Sequence, residues 1–159
     1  MIPENVRSVL EQHGLKALEF EEGSTPTAES AAARIGVEVG QIAKSILMRG
    51  KDGVYRMFVV AGDRKINSGK VKKITGCKHS MTGAEETRSV TGFYPGAVCP
   101  FGVRGVEIFI DRSLEAYGTV YPAAGTDASG VPVEYGKLLK ITGGTEVEVT
   151  ADELPVDYR

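Results

Sequence analysis

The spacing of hydrophobic and polar residues divides the chain into short helices and strands that alternate irregularly. Pro3 opens an amphipathic helix carrying Val6, Val9 and Leu10, which ends near His13-Gly14. Ala17 to Phe20 reads as a brief strand. Thr25-Pro26 begins a second helix, with Pro26 in its first turn and Ala28, Ala31, Ala32 and Ile35 on one face. Gly36 ends it. Two β-like runs follow the turn over 37–41, Ala43 to Arg49 and Val54 to Ala61. The Asp-Gly pair within Gly50-Lys51-Asp52-Gly53 predicts a hairpin between them. Asn67 or Ser68 caps a basic helix that stops near Gly76, and Thr82 to Ser89 is also helical.

A glycine- and proline-rich loop runs from Thr91 to Gly105. Beyond it, Val106 to Ile110, Thr119 to Ala123 and Val131 to Tyr135 are strand-like. Lys137 to Ile141 makes a helical turn before a closing strand, Thr145 to Val149. No repeat or low-complexity segment is visible. Without regular βα alternation, the expectation is one α+β domain over residues 1–159. Its sheet is mixed and mostly antiparallel, surrounded by helices, with an acidic tail from about residue 150.

Composition narrows the class further. At 159 residues, 42% hydrophobic and 25% charged, the chain builds one core without staples. The start Met1-Ile2-Pro3-Glu4-Asn5 lacks the pattern of a signal peptide, and no apolar run approaches a membrane span. Cys77 and Cys99 form no paired motif, so a reducing cytoplasmic setting is expected. The net charge of −2 argues against indiscriminate nucleic-acid binding, but the charges are unevenly placed. Arg64, Lys65, Lys70, Lys72, Lys73 and Lys78 fall in a run without acids, whereas Glu146, Glu148, Asp152, Glu153 and Asp157 crowd the end.

Several chemistries are set aside on spacing. Between Gly62 and Lys70 the glycines are wrongly spaced for a phosphate loop, and Val71 occupies the place of the magnesium-binding hydroxyl. With only Cys77, Cys99, His13 and His79 as soft ligands, scattered along the chain, no metal site is expected. Neither histidine has a nucleophile placed with it in a recognisable motif, and no G-x-S-x-G elbow occurs.

Three segments, taken in order, resemble the YbaK-like family, which includes the editing domain of prolyl-tRNA synthetases. The first runs from Ser24-Thr25-Pro26-Thr27 through the alanine-rich helix to Gln41-Ile42-Ala43-Lys44-Ser45. The second is Thr91 to Gly102, holding a G-x-x-x-P loop as Gly96 to Pro100. The third is Ala123-Ala124-Gly125, ahead of a strand and the Leu138-Leu139 turn. Together they cover roughly residues 15 to 150.

The resemblance implies a trans-acting deacylase that hydrolyses the ester of mischarged aminoacyl-tRNA, without cofactor. Lys44 and Gly96 take the catalytic positions, while Thr25, Thr27, Ser45, Ala97, Val98, Cys99, Pro100 and Gly125 surround the substrate. An activated ester needs positioning and charge stabilisation more than a strong nucleophile, and main-chain N–H groups of a glycine loop can hold its oxyanion. Cys99 invites a thiol mechanism, but no base accompanies it and small cysteines are commonly buried. Arg64, Lys65, Lys70, Lys72 and Lys73 are candidate contacts for the tRNA backbone. The expected partner is the tRNA acceptor end, with an aminoacyl-tRNA synthetase as a further candidate. Two other readings stay open: a non-catalytic tRNA- or synthetase-binding module of the same fold, and a small-molecule hydrolase or binder reusing the pocket.

Overall fold

The computed structural model describes residues 1–151, so the acidic segment expected beyond that point lies outside the described residues. Helix α1 (Glu4–Gln12) buries Val6 and Leu10, which are four residues apart and share one face. Strand β1 (Leu18–Glu19) pairs with β7 (Ser129–Gly130), away from the main sheet. Helix α2 (Ala28–Ile35) starts at the Thr27 N-cap, whose hydroxyl exchanges a capping box with Ser30, and ends on left-handed Gly36. Pro26 therefore precedes the cap instead of occupying the first turn, because Thr27 supplies the better acceptor for the free N–H groups.

The sheet is built on the hairpin of β2 (Ile42–Gly50) and β3 (Tyr55–Ala61). Gly53 turns it with φ near +82°, the region that favours glycine. Strands β4 (His79–Met81), β5 (Glu107–Asp111), β6 (Thr119–Pro122), β8 (Val133–Glu134) and β9 (Thr145–Val147) complete the order β8-β6-β2-β3-β5-β9, with β4 also against β2. Antiparallel pairings join β1–β7, β2–β3, β2–β4 and β6–β8, and parallel ones join β2–β6, β3–β5 and β5–β9. The mixed, mostly antiparallel α+β expectation matches this arrangement.

Side chains alternate across this sheet and feed two cores. Ala43, Met57, Val59, Ala61, Ile108 and Ile110 face α1, the 93–106 loop and α5 (Tyr135–Thr142). Met48, Phe58, Val60 and Phe109 face α3 (Ser68–Thr75), which Asn67 caps and Gly76 ends. Phe58 is fully buried and stacks on Phe109 at 5.0 Å, so its truncation to alanine costs about 3–5 kcal/mol. A third cluster joins Ala31 and Ala32 of α2 to Ile42.

Other departures from the sequence pattern are local. Helix α4 (Ala84–Thr91) begins two residues later than predicted, after Gly83. The run from Val131 to Tyr135 is strand only at Val133–Glu134, and Tyr135 already begins α5. Strand β4 and the 3-10 turn Arg112–Tyr117 carry no strong periodicity and were not anticipated. Past β9, Val149 and Ala151 bond to Asn67 and Lys65, which returns the chain to the start of α3.

Candidate functional site at the open edge of β2

One edge of β2 is shared by two strands and left open between them. Strand β6 pairs with Ile42 and Ala43, and β4 pairs with Met48 to Gly50. Lys44 to Leu47 lie in the gap. The Gly62 N–H bonds the Ile42 carbonyl and the Gly50 N–H bonds the Val54 carbonyl, which sets the phase of the β2–β3 ladder. Even-numbered β2 residues thus exchange main-chain bonds with β3, and Ala43, Ser45 and Leu47 turn theirs toward the opposite edge. At Leu47 the Thr82 hydroxyl donates to the carbonyl, but Ser45 faces open space.

A cavity of about 250 Å³ occupies this opening. Its walls come from the start of α2 and the residues before it (Pro26, Thr27, Ala28, Ala31), from β2 (Ile42 to Ser45), from Tyr121 on β6 and Ala123 just beyond it, and from Gly96 and Val98. Lys44 and Ser45 approach it from opposite faces of the strand. The Ser45 hydroxyl is buried yet has no hydrogen-bond partner among the described residues. A buried polar atom in that state calls for a ligand or water.

Lys44 is half-buried, and its ammonium donates to the Gly62 carbonyl at 3.3 Å. Burial lowers its pKa below an ordinary lysine's, against the opposing pull of Glu29 and Asp63, while Lys65 adds to the lowering. Gly62 must be glycine: a Cβ there would meet the Val39 carbonyl at 2.4 Å and the Ala28 Cβ at 2.9 Å. The lysine is thereby anchored where α2, β2 and the end of β3 converge.

The glycine loop is shaped by a turn over Tyr94–Ala97, closed by the Ala97 N–H on the Tyr94 carbonyl at 2.9 Å. Pro95 and Gly96 occupy its centre, and the φ of +86° at Gly96 suits a type II turn. A Cβ on Gly96 would press on Pro26 at 3.1 to 3.5 Å, so the loop packs against the segment before α2. The Ala97 N–H is engaged in the turn. Gly96 and Val98 line the cavity, and their N–H groups have no acceptor among the described residues.

The structure gathers Thr25, Thr27, Lys44, Ser45, Gly96 and Val98 around the cavity. Thr25 is buried and caps no helix. Its Oγ accepts from the Ser129 N–H at 3.1 Å and its own N–H donates to the Asp127 carbonyl, tying the two walls together. Ala97 and Cys99 belong to the core and Pro100 is buried, and none of the three lines the cavity. Cys99 is fully buried, its thiol pushed up to about 12 by burial, which leaves it inert. Gly125 sits apart, packed against Phe93 and Pro3. Ala31, Ile42, Tyr121, Ala123 and Ser129 also line it; Tyr121 and Ser129 come to it through the non-local pairings β2–β6 and β1–β7, which no nearby sequence pattern encodes.

The five basic candidates divide. Arg64 donates to the Ala151 carbonyl and Lys70 to that of Thr150, so both hold the returning chain. Lys65, Lys72 and Lys73 are exposed. Among the described residues, no cluster of three or more His, Cys, Asp or Glu side chains could hold a metal, and no helix is long and apolar enough to cross a membrane.

This fold has counterparts. Residues 22–141 match the aminoacyl-tRNA editing domain family, and the chain belongs to it. It is 40% identical over 111 residues to the uncharacterized protein YwhH of Bacillus subtilis, covering 69% of this chain and 71% of that one. It is 24% identical over 154 residues to EbsC of Enterococcus faecalis, named as a candidate Cys-tRNA(Pro)/Cys-tRNA(Cys) deacylase, with 94% of each chain covered. A crystal structure described as a candidate trans-editing enzyme for prolyl tRNA synthetase superposes with a TM-score of 0.85 at 31% identity. The match covers 96% of this chain and 100% of that one.

Proposed function

We propose that this protein is a trans-acting aminoacyl-tRNA deacylase that works in the cytoplasm and releases amino acid from mischarged tRNA. The observation that carries this reading is that Lys44 shares one small cavity with Gly96 and Val98, whose N–H groups have no acceptor among the described residues. The terminal adenosine enters along the open edge of β2, and the aminoacyl side chain rests on Ala31, Ile42, Val98 and Ala123. The Ser45 hydroxyl and main chain supply polar contacts to the substrate.

Water adds to the ester carbonyl carbon, and the carbonyl oxygen takes the charge. Gly96 and Val98 N–H groups stabilise that oxyanion, each such donor being worth about 10²–10³ in rate. Lys44 adds positive charge beside the terminal ribose and phosphate. The carbon–oxygen bond to the ribose then breaks, the ribose oxygen takes up a proton, and free amino acid and tRNA leave. No side-chain nucleophile is used. Exposed Lys65, Lys72 and Lys73 face phosphates of the bound RNA, with Arg64 and Lys70 contributing charge behind them.

The test is a panel of tRNAs, each carrying a cognate or mismatched amino acid, incubated with purified protein. Release of one or a few mismatched amino acids is the expected result. Binding of tRNA without release would favour a non-catalytic module of the same fold.

A further inference from the structure

A second feature lies on the same edge of β2, beyond the gap. The hairpin tip and β4 enclose an open groove of about 500 Å³ lined by Arg49, Gly50, Lys51, Gly53, Lys78, His79 and Ser80. The two lysine-bearing segments are joined directly, the Lys51 N–H donating to the Lys78 carbonyl at 2.9 Å. Both side chains are exposed, and neither has an acidic partner among the described residues. The nearby acids are already paired: Asp52 forks onto Arg56, and Glu86 takes Arg49 and the Tyr55 hydroxyl.

Hydrogen bonds brace the floor of the groove. Asp52 also accepts from the Val54 N–H, while Arg56 reaches His79 Nε2 at 2.9 Å and His79 Nδ1 meets the Cys77 carbonyl at 3.1 Å. A Cβ on Gly50 would meet the ends of the Asp52, Arg56 and His79 side chains within 3.0 Å, so these three gather over the glycine. Two exposed lysines on adjacent segments whose backbones are bonded together form a basic site suited to an anion.

Its distance from the cavity indicates which anion. From Ser45 to Gly50, the last residue of β2, is five strand steps, about 17 Å at roughly 3.3–3.4 Å each, and Lys51 follows in the hairpin turn. A stacked nucleic-acid strand covers that span in about five nucleotides at roughly 3.4 Å apiece. A tRNA with its terminal adenosine at Lys44 therefore lays its duplex stem, not its unpaired CCA end, over the groove.

We propose that Lys51 and Lys78 form a docking site for the acceptor-stem phosphates of tRNA, separate from the ester-binding cavity. This inference rests on the deacylase reading, and the test separates the two. The wild-type protein, Lys51→Ala/Lys78→Ala, the charge-preserving Lys51→Arg/Lys78→Arg, and the control Lys137→Ala/Lys140→Ala on α5 are compared. Binding of uncharged tRNA is followed by anisotropy across a salt series, and hydrolysis is measured on an aminoacyl minihelix and on an aminoacyl CCA trinucleotide.

The alanine pair should lower the slope of log affinity against log salt by about 2, one per lost phosphate contact, with the arginine pair and the α5 control near wild type. Half-saturation for the minihelix should rise in the alanine pair, with CCA hydrolysis unchanged. An unchanged slope, an equal loss in the α5 control, or an equal loss on the CCA ester would overturn the site. Loss of binding to a synthetase, with RNA binding intact, would overturn it in favour of a protein contact. If the wild type hydrolyses neither ester, the deacylase reading fails, and the salt slopes still decide whether the groove binds RNA.

Discussion

The Lys44 ammonium donates to the Gly62 carbonyl at 3.3 Å, binding the first residues of β2 to the end of β3 beside the cavity. Because this lysine is half-buried, its charge costs folding energy while it serves the site. Lys44→Met should reduce deacylation strongly and leave the thermal midpoint equal to or above that of the wild type at neutral pH. Turnover close to wild type in single-turnover assays would remove Lys44 from the mechanism.

The same burial has a pH consequence. Its folded-state pKa lies below the unfolded one, so between the two values the unfolded chain binds more protons. Stability should rise with pH through that window, and the rise should vanish in Lys44→Met. The activity requiring charged Lys44 should fall at a pH below that of an ordinary exposed lysine. Denaturant titrations and rate profiles from neutral to alkaline pH, wild type against variant, measure both.

The glycine loop should respond to backbone shape and not to its thiol. Cys99→Ala should keep most activity with a small loss of stability, since the main-chain N–H groups remain. Gly96→Val should lower the rate by about 10²–10³, because a branched side chain opposes a φ of +86° and presses on Pro26. A dead Cys99→Ala beside an active Gly96→Val in single-turnover assays would instead indicate a covalent thiol.

Thr25 and Ser129 join the two walls through a buried hydrogen bond of 3.1 Å. Thr25→Val keeps the shape but leaves the Ser129 N–H without an acceptor, costing about 1–3 kcal/mol. The thermal midpoint and the rate should both drop, and Thr25→Ser should restore them. Equal loss in the serine variant would show that the methyl group, not the hydroxyl, matters.

Charge on α3 and in the segment before it gives a further expectation. Neutralising Lys65, Lys72 and Lys73 together should flatten the salt dependence of tRNA binding, by about 1 for each lysine that meets a phosphate. An unchanged slope would confine RNA recognition to the cavity and the hairpin groove.

Local chemistry in the sequence determined the elements whose causes are local. Thr27, Asn67, Gly36 and Gly76 delimit helices because capping oxygens and left-handed glycines act within a few residues. Asp52-Gly53 turns the hairpin for the same reason, and the order of helix, lysine and glycine loop made Thr25, Lys44 and Gly96 legible. Tertiary structure alone decided how they meet. Parallel pairing of Ile42 with Tyr121 is a contact between residues far apart in the chain, and no nearby pattern encodes it. The open edge at Ser45 exists only because β6 and β4 stop short of each other on one side of β2. Cys99 and Val98 are neighbours in one loop, yet packing buries the first fully in the core and leaves the second at its margin, lining the cavity. The basic run likewise separates once folded, Arg64 and Lys70 bonding the returning chain and Lys78 joining Lys51, because a charge's partners are set by proximity in space.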